Sequence, residues 1–291
     1  MKLVTFELLG LAVGEPRLGA LEGDTIIELS GTMQTAIAGG ARALKELRRE
    51  ANSRRTLHAS SAVRLLAPLP RPARNIFCVG KNYREHAKEF DSSGFDASAG
   101  KDPIPDYPIF FTKASTTVIG PRVPIPGHLD PTHSVDYEGE LAVIIGAGGL
   151  HISRAEAMSH VFGYTMINDV TSRTLQSRHR QWFVGKNIDG FCPMGPCIIT
   201  ADEVPRMDEL RLQTRVNGEL RQDALVAQLI FDIPTLIETL SATMTLESGD
   251  IIATGTCAGV GIGFKPPKFL KAGDHVSVTI EPIGTLQNEV A

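Results

Sequence analysis

Three acidic residues at the ends of two mostly apolar segments constrain the fold of this chain most strongly. Glu138 and Glu140 stand before the apolar run 141–145, and Asp169 follows the run 163–168. Both runs predict buried β-strands, and residues two apart in a strand point to the same face. Carboxylates gathered there repel one another unless a cation compensates, and Mg²⁺ or Mn²⁺ would do so because these ions prefer oxygen ligands. The alternative is a half-exposed strand whose solvent face carries Glu138 and Glu140.

Charge and composition argue against several classes of protein. The chain of 291 residues holds 29 basic and 33 acidic residues, a balance that favours neither a nucleic-acid partner nor an anionic membrane surface. A hydrophobic content of 42% is ordinary for a globular protein. No apolar run approaches transmembrane length, and the start of the chain, interrupted by Glu7, does not resemble a signal peptide. The cysteines form no Cys-x-x-Cys pair, so we expect reduced thiols and a cytoplasmic location.

A proline-rich stretch divides the chain. Residues 67–74 predict a stiff extended linker between a small N-terminal α+β domain (1–66) and a catalytic domain (75–291). In the small domain we expect three short strands and a charged helix, at 2–8, 17–21, 25–29 and 41–52. Nothing in this domain groups polar side chains in a way that suggests chemistry.

A histidine and a glutamate follow the predicted buried strand that ends at Gly80. On a helix His86 and Glu89 share a face, because they are three residues apart. A carboxylate beside an imidazole orients its tautomer and raises its basicity, as a water-activating base requires. A surface His–Glu pair without a catalytic role has the same spacing. Residues 91–108, rich in Ser, Gly, Asp and Pro, predict a mobile lid beside the pair or else a surface insertion.

Further polar residues are candidates for substrate or charge-pairing roles. Lys113 and Lys186 could each bind an anionic substrate group or could simply be solvated. A helix is expected directly after Asp169, which would place Arg173 and Gln176 on the same face as that carboxylate. Arg173 would then either meet the substrate or form a buried pair with an acidic residue.

The last third of the chain predicts a hairpin and a glycine-rich loop. Asn217-Gly218 is a strong hairpin turn signal, and a helix at 233–243 and a strand at 251–254 follow. The loop 255–263 lacks the G-x-G-x-x-G spacing of dinucleotide-binding proteins, and Lys265-Pro266-Pro267 breaks the helix which that motif needs. The sequence of this segment is more typical of a loop whose backbone N–H groups and threonine hydroxyls approach a small anion.

Six motifs taken together resemble the fumarylacetoacetate hydrolase (FAH) superfamily over residues 75–291. In chain order they are G-K-N-Y-x-x-H-x-x-E (80–89), D-Y-E-G-E-L (136–141), N-D-x-x-x-R-x-x-Q (168–176), W-F-x-G-K (182–186), V-N-G-E-L-R-Q (216–222) and T-G-T-x-x-G-V-G (254–261). One of them would be weak evidence, whereas all six in family order are specific. The chain is most similar to the short-chain acylpyruvases and the 2-hydroxyhepta-2,4-diene-1,7-dioate isomerases of this superfamily.

The resemblance implies a fold and a metal site. The fold is α+β and mostly β, a mixed β-sandwich roll behind the small N-terminal domain, usually assembled as a homodimer. Positions that match the family's ligands for Mg²⁺ or Mn²⁺ are Glu138, Glu140 and Asp169.

The resemblance also implies catalytic and substrate-binding residues. His86 and Glu89 match the lid dyad that activates water in short-chain members, and Lys186 matches a catalytic lysine that contacts the substrate. Positions that match or adjoin substrate contacts are Arg173, Gln176 and Thr256. Cys257 departs from the pattern, since proline is common there. The larger fumarylacetoacetases carry a further ligand carboxylate that has no match here, so fumarylacetoacetate itself is not the expected substrate.

The expected function is a divalent-metal-dependent hydrolase that cleaves a C–C bond in a 2,4-dioxo acid of the acylpyruvate type. In this hypothesis the metal stabilises the enolate left by cleavage, the His86–Glu89 pair activates water, and Lys186 steadies the tetrahedral oxyanion. Without attacking water, the same enolate supports decarboxylation of oxaloacetate or isomerisation of a 2-hydroxydienoate. A non-catalytic metal- or ligand-binding protein is the alternative from another class.

Overall fold

The computed structural model describes residues 1–10, 15–53, 56–96 and 103–291, and it is mostly β with five helices in these ranges. The N-terminal elements are β1 (Lys2–Leu8), β2 (Arg17–Glu22), β3 (Thr25–Leu29), α1 (Met33–Ser53), β4 (Leu57–Ala59) and β5 (Val63–Leu65). The next elements are β6 (Ile76–Gly80), α2 (Arg84–Ser92), β7 (Ile109–Lys113), β8 (Val118–Ile119), β9 (Val135–Asp136), β10 (Gly139–Ile145) and β11 (Val161–Asn168). The last are β12 (Thr171–Ser172), α3 (Arg173–Arg178), α4 (Phe183–Lys186), β13 (Cys192–Thr200), β14 (Arg211–Val216), β15 (Glu219–Leu225), α5 (Ile233–Ser241), β16 (Ile251–Thr256), β17 (His275–Ile280) and β18 (Gly284–Glu289).

One large sheet runs through the whole molecule. Its strands follow the order β4-β3-β2-β1-β13-β11-β10-β16-β6-β7, with β5 beside β1 and β8 beside β13. A four-stranded sheet, β15-β14-β17-β18, packs its apolar face on β10, where a Cβ added at Gly139 would lie 2.3 Å from Thr214 Oγ1. Because β1 pairs with β13, residues 1–66 are hydrogen-bonded to the sheet of the remaining chain. The domain limits at 66 and 75 stay a prediction.

The two central strands, β10 and β11, are buried along their full length. Strands covered on both faces carry continuous apolar runs rather than an in–out alternation. In their antiparallel pairing Gly139 lies opposite Asn168, and Glu140 lies opposite Thr256 of β16 on the other side. The start of β10 therefore meets the ends of β11 and β16 at one edge of the sheet.

Two predicted helices differ from the observed ones. Helix α1 begins at Met33, and Gly40, with φ of 53°, kinks it, so the predicted helix 41–52 covers only the part after the kink. After Asp169 the chain stays extended, because β12 pairs with β9, and α3 starts only at Arg173. The prediction that Asp169 shares a helical face with Arg173 was therefore wrong.

The remaining predicted segments lie as follows. The hairpin at Asn217-Gly218 is observed, with positive φ at both residues, and it connects β14 to β15. Of the predicted lid 91–108, residues 97–102 lie outside the described residues, and α2 extends to Ser92. None of the helices in the described ranges has the length and apolar character that crossing a bilayer requires.

Candidate active site

Glu138, Glu140 and Asp169 converge at the end of the sheet where the central strand β10 begins. One oxygen from each lies within 4.8 Å of the others, and all three side chains are buried. The strand pairing fixes this arrangement, because the Asp169 N–H donates to the Glu138 carbonyl at 2.8 Å and the Glu138 N–H donates to Asn168 Oδ1 at 2.9 Å. The structure thus brings together the three predicted ligands, while their role as ligands stays a prediction.

The charges around this cluster are unevenly distributed. Burial opposes the ionisation of Glu138, but Lys186 and Arg173 outweigh it and hold the pKa of that carboxyl at about 2. Burial, followed by the charges of Asp169 and Glu138, raises the pKa of Glu140 well above its usual range. Glu140 has no ion pair within the described residues and accepts a hydrogen bond from the Gly255 N–H at 2.9 Å. A buried all-oxygen donor set with one uncompensated carboxyl fits a hard divalent cation.

Two lysines contact Asp169 from opposite sides. Lys186 Nζ lies 2.7 Å from Asp169 Oδ2 and 2.7 Å from Glu138 Oε2, so it bridges two of the three carboxylates. Lys113 Nζ lies 2.8 Å from Asp169 Oδ1 and is fully buried. The solvated alternative for both lysines was therefore wrong, and Lys113 acts as a buried counter-charge.

Arg173 is held by two acidic residues. Its Nε lies 2.8 Å from Asp136 Oδ2, its Nη1 lies 2.6 Å from Glu138 Oε1, and it donates to Gln176 Oε1 at 3.2 Å. The buried-pair alternative for Arg173 is thus present in the structure. Arg173 and Gln176 also line the pocket described below, so contact with a substrate remains a prediction for both.

His86 and Glu89 form a pair on the buried side of α2. His86 Nδ1 lies 3.0 Å from Glu89 Oε2, and the other carboxylate oxygen, Oε1, accepts a hydrogen bond from the Gly259 N–H at 2.9 Å. His86 is only 5% exposed, so the surface-pair alternative was wrong. With Nδ1 directed at Glu89, Nε2 is the nitrogen left to exchange a proton with a ligand.

One small pocket connects the pair to the carboxylate cluster. Six of the predicted site residues line it, namely His86, Glu138, Arg173, Gln176, Lys186 and Thr256. The other three, Glu89, Glu140 and Asp169, are not among its lining residues. Aromatic rings of Phe90, Phe111 and Trp182 form its apolar side, and a Cβ at Gly80 would lie 2.1 Å from the Trp182 ring. Polar groups from several distant segments therefore meet in one small pocket.

Sequence reasoning missed two residues that hold this site together. Asp136 accepts hydrogen bonds from the N–H groups of Gly261 at 2.6 Å and Ile262 at 3.1 Å, in addition to its pair with Arg173. It begins the D-Y-E-G-E-L motif, which is the signal that could have identified it. Gln222, in the hairpin motif, accepts from the Gly139 N–H at 3.0 Å and donates to Thr256 Oγ1 at 2.7 Å.

The hydroxyl of Thr256 is engaged in holding strands together. It donates to the Gly139 carbonyl at 2.9 Å and accepts from Gln222. The next residue, Cys257, is almost fully buried, and burial raises the pKa of its thiol to about 12. A thiol with so high a pKa is a poor nucleophile near neutral pH.

Replacing Gly263 with alanine is expected to lower the turnover rate without unfolding the chain. A Cβ at this position would lie 1.8 Å from Glu89 Oε1, and the carboxylate is the flexible partner that must move. Glu89 would then lose its bond to Gly259, and His86 would lose its orientation, so we expect a fall in kcat of about tenfold or more.

The matched control for this prediction is Gly149→Ala. That glycine also lacks a positive φ, and a Cβ added there would meet Ile152 and His160, neither of which lines the pocket. Steady-state kinetics and thermal unfolding of both variants make the check. Equal loss of activity in the two variants, or normal activity in both, would contradict the role of Gly263 in positioning Glu89.

A buried carboxylate cluster and an oriented imidazole beside one small pocket of a mostly β fold are typical of a metal-dependent enzyme acting on a small molecule. The family model described as fumarylacetoacetate (FAA) hydrolase C-terminal matches residues 75–291. This chain belongs to the fumarylacetoacetate hydrolase family.

Relatives and solved structures resemble the chain over nearly its whole length. Oxaloacetate tautomerase YisK of Bacillus subtilis is 46% identical, over 98% of this chain and 93% of the relative. The structure of a fumarylacetoacetate hydrolase from Exiguobacterium antarcticum is 44% identical with a TM-score of 0.81, covering 100% of this chain and 99% of that one. A maleylpyruvate hydrolase from Sphingobium sp. SYK-6, in complex with manganese(II) and pyruvate, is 31% identical with a TM-score of 0.79, covering 100% and 99%.

These similarities confirm the predicted family, its mostly β fold and the expectation of an enzyme. The non-catalytic alternative has no support from them. The manganese in the maleylpyruvate hydrolase, together with the buried carboxylates, indicates a divalent metal, and the named relatives act on small acids. The choice between Mg²⁺ and Mn²⁺, the homodimer and the cytoplasmic location stay predictions.

Proposed function

We propose that this enzyme interconverts the keto and enol forms of a short 2-oxo dicarboxylic acid of the oxaloacetate type. The observation that carries the proposal is one pocket lined both by the oriented imidazole of His86 and by Glu138, which belongs to a carboxylate cluster suited to a divalent cation. The free space in the pocket is small and favours a compact substrate. The 46% identity with an oxaloacetate tautomerase supports this class of reaction.

Enolisation needs a base for the hydrogen on C3 and positive charge near the oxygen on C2. A divalent ion held by the three carboxylates would supply Lewis acidity at the substrate's 2-oxo and carboxylate oxygens. His86 takes the C3 proton, and Glu89 stabilises the imidazolium that forms. Lys186, fixed between Glu138 and Asp169, adds positive charge near the developing oxyanion. The His86 imidazolium then gives this proton to the C2 oxygen, which completes the enol and returns the imidazole to its neutral form. The reverse steps restore the keto form.

Hydrolysis of a 2,4-dioxo acid is the second candidate. The observation that favours it is the pairing of His86 with Glu89, which suits an imidazole that deprotonates water. The resulting hydroxide would attack the C4 carbonyl, the C3–C4 bond would break, and the pyruvate enolate would take up a proton. The similarity to a maleylpyruvate hydrolase supports this reading. Decarboxylation of oxaloacetate would pass through the same enolate, with carbon dioxide as the other product.

An ultraviolet assay of enol-oxaloacetate distinguishes these reactions. With protein and Mg²⁺ we expect the enol absorbance to fall faster than with Mg²⁺ alone, while total oxaloacetate stays constant, and excess chelator should stop the enzymatic part. Carbon dioxide released at the rate of enol loss would instead assign decarboxylation. If the protein forms pyruvate and acetate from acetylpyruvate but does not accelerate the loss of enol-oxaloacetate, the reaction is hydrolysis. The Glu140→Gln variant at the same Mg²⁺ concentration controls for catalysis by the free ion.

A further inference from the structure

The pocket contains one more cation, Lys81, that the chemistry above does not use. Lys81 follows β6 directly, lines the pocket and is 8% exposed. Its φ is +55°, a left-handed conformation that strains a residue other than glycine by about 1 kcal/mol or more. Strain of this kind persists only where the surroundings impose it, and it is found most often at functional sites.

The side chain of the neighbouring residue, Asn82, is fixed by three hydrogen bonds. Asn82 Nδ2 donates to the carbonyls of Phe231 at 3.0 Å and Thr254 at 2.7 Å, and Asn82 Oδ1 accepts from the Phe231 N–H at 2.8 Å. The backbone at Lys81 is thus held against β16 and against the segment before α5. This fixes the direction in which the lysine side chain leaves the strand.

The Lys81 ammonium lies beside an aromatic ring that two site residues also approach. It is 5.5 Å from the centroid of the Phe90 ring, which lines the pocket, and the Arg173 guanidinium lies 6.0 Å from the same centroid. The His86 ring lies 6.2 Å from Phe90 as well. Phe90 is therefore shared by the proton-transferring histidine and by two cationic side chains.

The ion pairs of the pocket cations divide into two kinds. Arg173 and Lys186 pair with the carboxylates of the proposed metal centre. Lys81 Nζ instead lies 2.5 Å from Oδ2 of Asp96, which comes from the segment after α2, and each of these two side chains is only 7% exposed. A substrate carboxylate that replaced Asp96 would keep the buried ammonium paired, whereas an apolar group in that place would not.

On the basis of the proposed function, we infer that Lys81 recognises the substrate carboxylate remote from the 2-oxo group, and that Asp96 occupies its place until the substrate binds. The metal centre would take one end of the molecule, and Lys81 would take the other. The enzyme would then select dicarboxylic over monocarboxylic acids of equal length.

Binding of two unreactive acids to the Mg²⁺-loaded protein tests this inference by calorimetry. Malate and 2-hydroxybutanoate share a chelating 2-hydroxy acid end, and only malate carries a second carboxylate. We expect the wild-type protein to prefer malate by about tenfold or more, as a charge-assisted hydrogen bond provides. Lys81→Met should abolish the preference and leave 2-hydroxybutanoate binding unchanged, and Lys81→Arg should retain most of it.

Asp96→Asn is the second variant, and it addresses the case in which Lys81→Met fails to fold. If Asp96 competes with the substrate, this change should tighten malate binding several-fold and leave 2-hydroxybutanoate unaffected. No preference for malate in the wild type, a preference retained in Lys81→Met, or weaker malate binding in Asp96→Asn would overturn the inference. Because no turnover is needed, a protein that selects malate through Lys81 yet does not tautomerise oxaloacetate would refute only the proposed function.

Discussion

Replacement of Glu140 with glutamine is expected to abolish metal-dependent turnover and to leave the metal-free protein as stable as the wild type, or more so. Glu140 is a buried carboxyl with no ion pair in the described part of the chain, so a neutral amide of the same shape removes an electrostatic penalty. As a predicted ligand, however, Glu140 supplies negative charge to the ion. Replacing a group that only hydrogen-bonds to a metal ligand lowers metal affinity by about 10- to 100-fold. Replacing a ligand itself should therefore lower the affinity by more than this.

Glu138→Gln is the matched comparison for this prediction. Glu138 pairs with Arg173 and Lys186, so its replacement leaves two buried cations with less compensation. We expect both variants to lose metal binding, but only Glu138→Gln to destabilise the metal-free fold, by about 3–5 kcal/mol. Thermal unfolding in chelator and in Mg²⁺ makes the check, since a metal at 100 times its Kd adds about 2.7 kcal/mol to the wild type. Equal destabilisation by the two substitutions would contradict this charge distribution.

Replacement of His86 with asparagine should lower kcat by about 10²–10⁴-fold, the range for loss of a positioned acid–base group. Metal binding should be unaffected, because the imidazole is directed at Glu89 and at the pocket rather than at the carboxylate cluster. Glu89→Gln should lower kcat less, since the imidazole remains but loses the carboxylate that stabilises its charged form.

The chain offers a control for this prediction in a second His–Glu pair. His58 Nε2 lies 2.8 Å from Glu28 Oε2, in the N-terminal part of the molecule and outside the pocket. His58→Asn should leave kcat and KM unchanged. Steady-state kinetics with calorimetric metal titration would show whether His86→Asn is deficient in proton transfer alone. A His86→Asn variant with nearly full activity would remove the histidine from the mechanism.

Local sequence patterns predicted the parts of the site that depend on residue spacing within one strand or helix. Alternation in a strand predicted that Glu138 and Glu140 share a face, and helical spacing predicted that His86 and Glu89 meet; the structure places both pairs in this way. The hairpin turn at Asn217-Gly218 could also be predicted, because its backbone conformation restricts the residues that can occupy it.

Features that depend on distant segments could not be predicted in this way. Lys113 looked like a solvated or substrate-binding lysine, because nothing near it in the chain shows that β7 ends beside Asp169. Asp136 had no assigned role, since its partners Arg173 and Gly261 become neighbours only in the folded chain. The helix expected after Asp169 was replaced by an extended segment, because pairing with β9 outweighs weak local helix propensity.

Deuterium incorporation at C3 of a 2-oxo dicarboxylic acid, followed by NMR in D₂O, tests the central claim most directly. It detects enolate formation whether the later step is tautomerisation, decarboxylation or hydrolysis. We expect exchange above the background of free Mg²⁺ with the wild-type protein, loss of that excess on chelation, and none of it with Glu140→Gln or His86→Asn. Protein-dependent exchange that persists in excess chelator, or none in a protein shown to hold its metal and the acid, would contradict a metal-dependent enolate mechanism at this site.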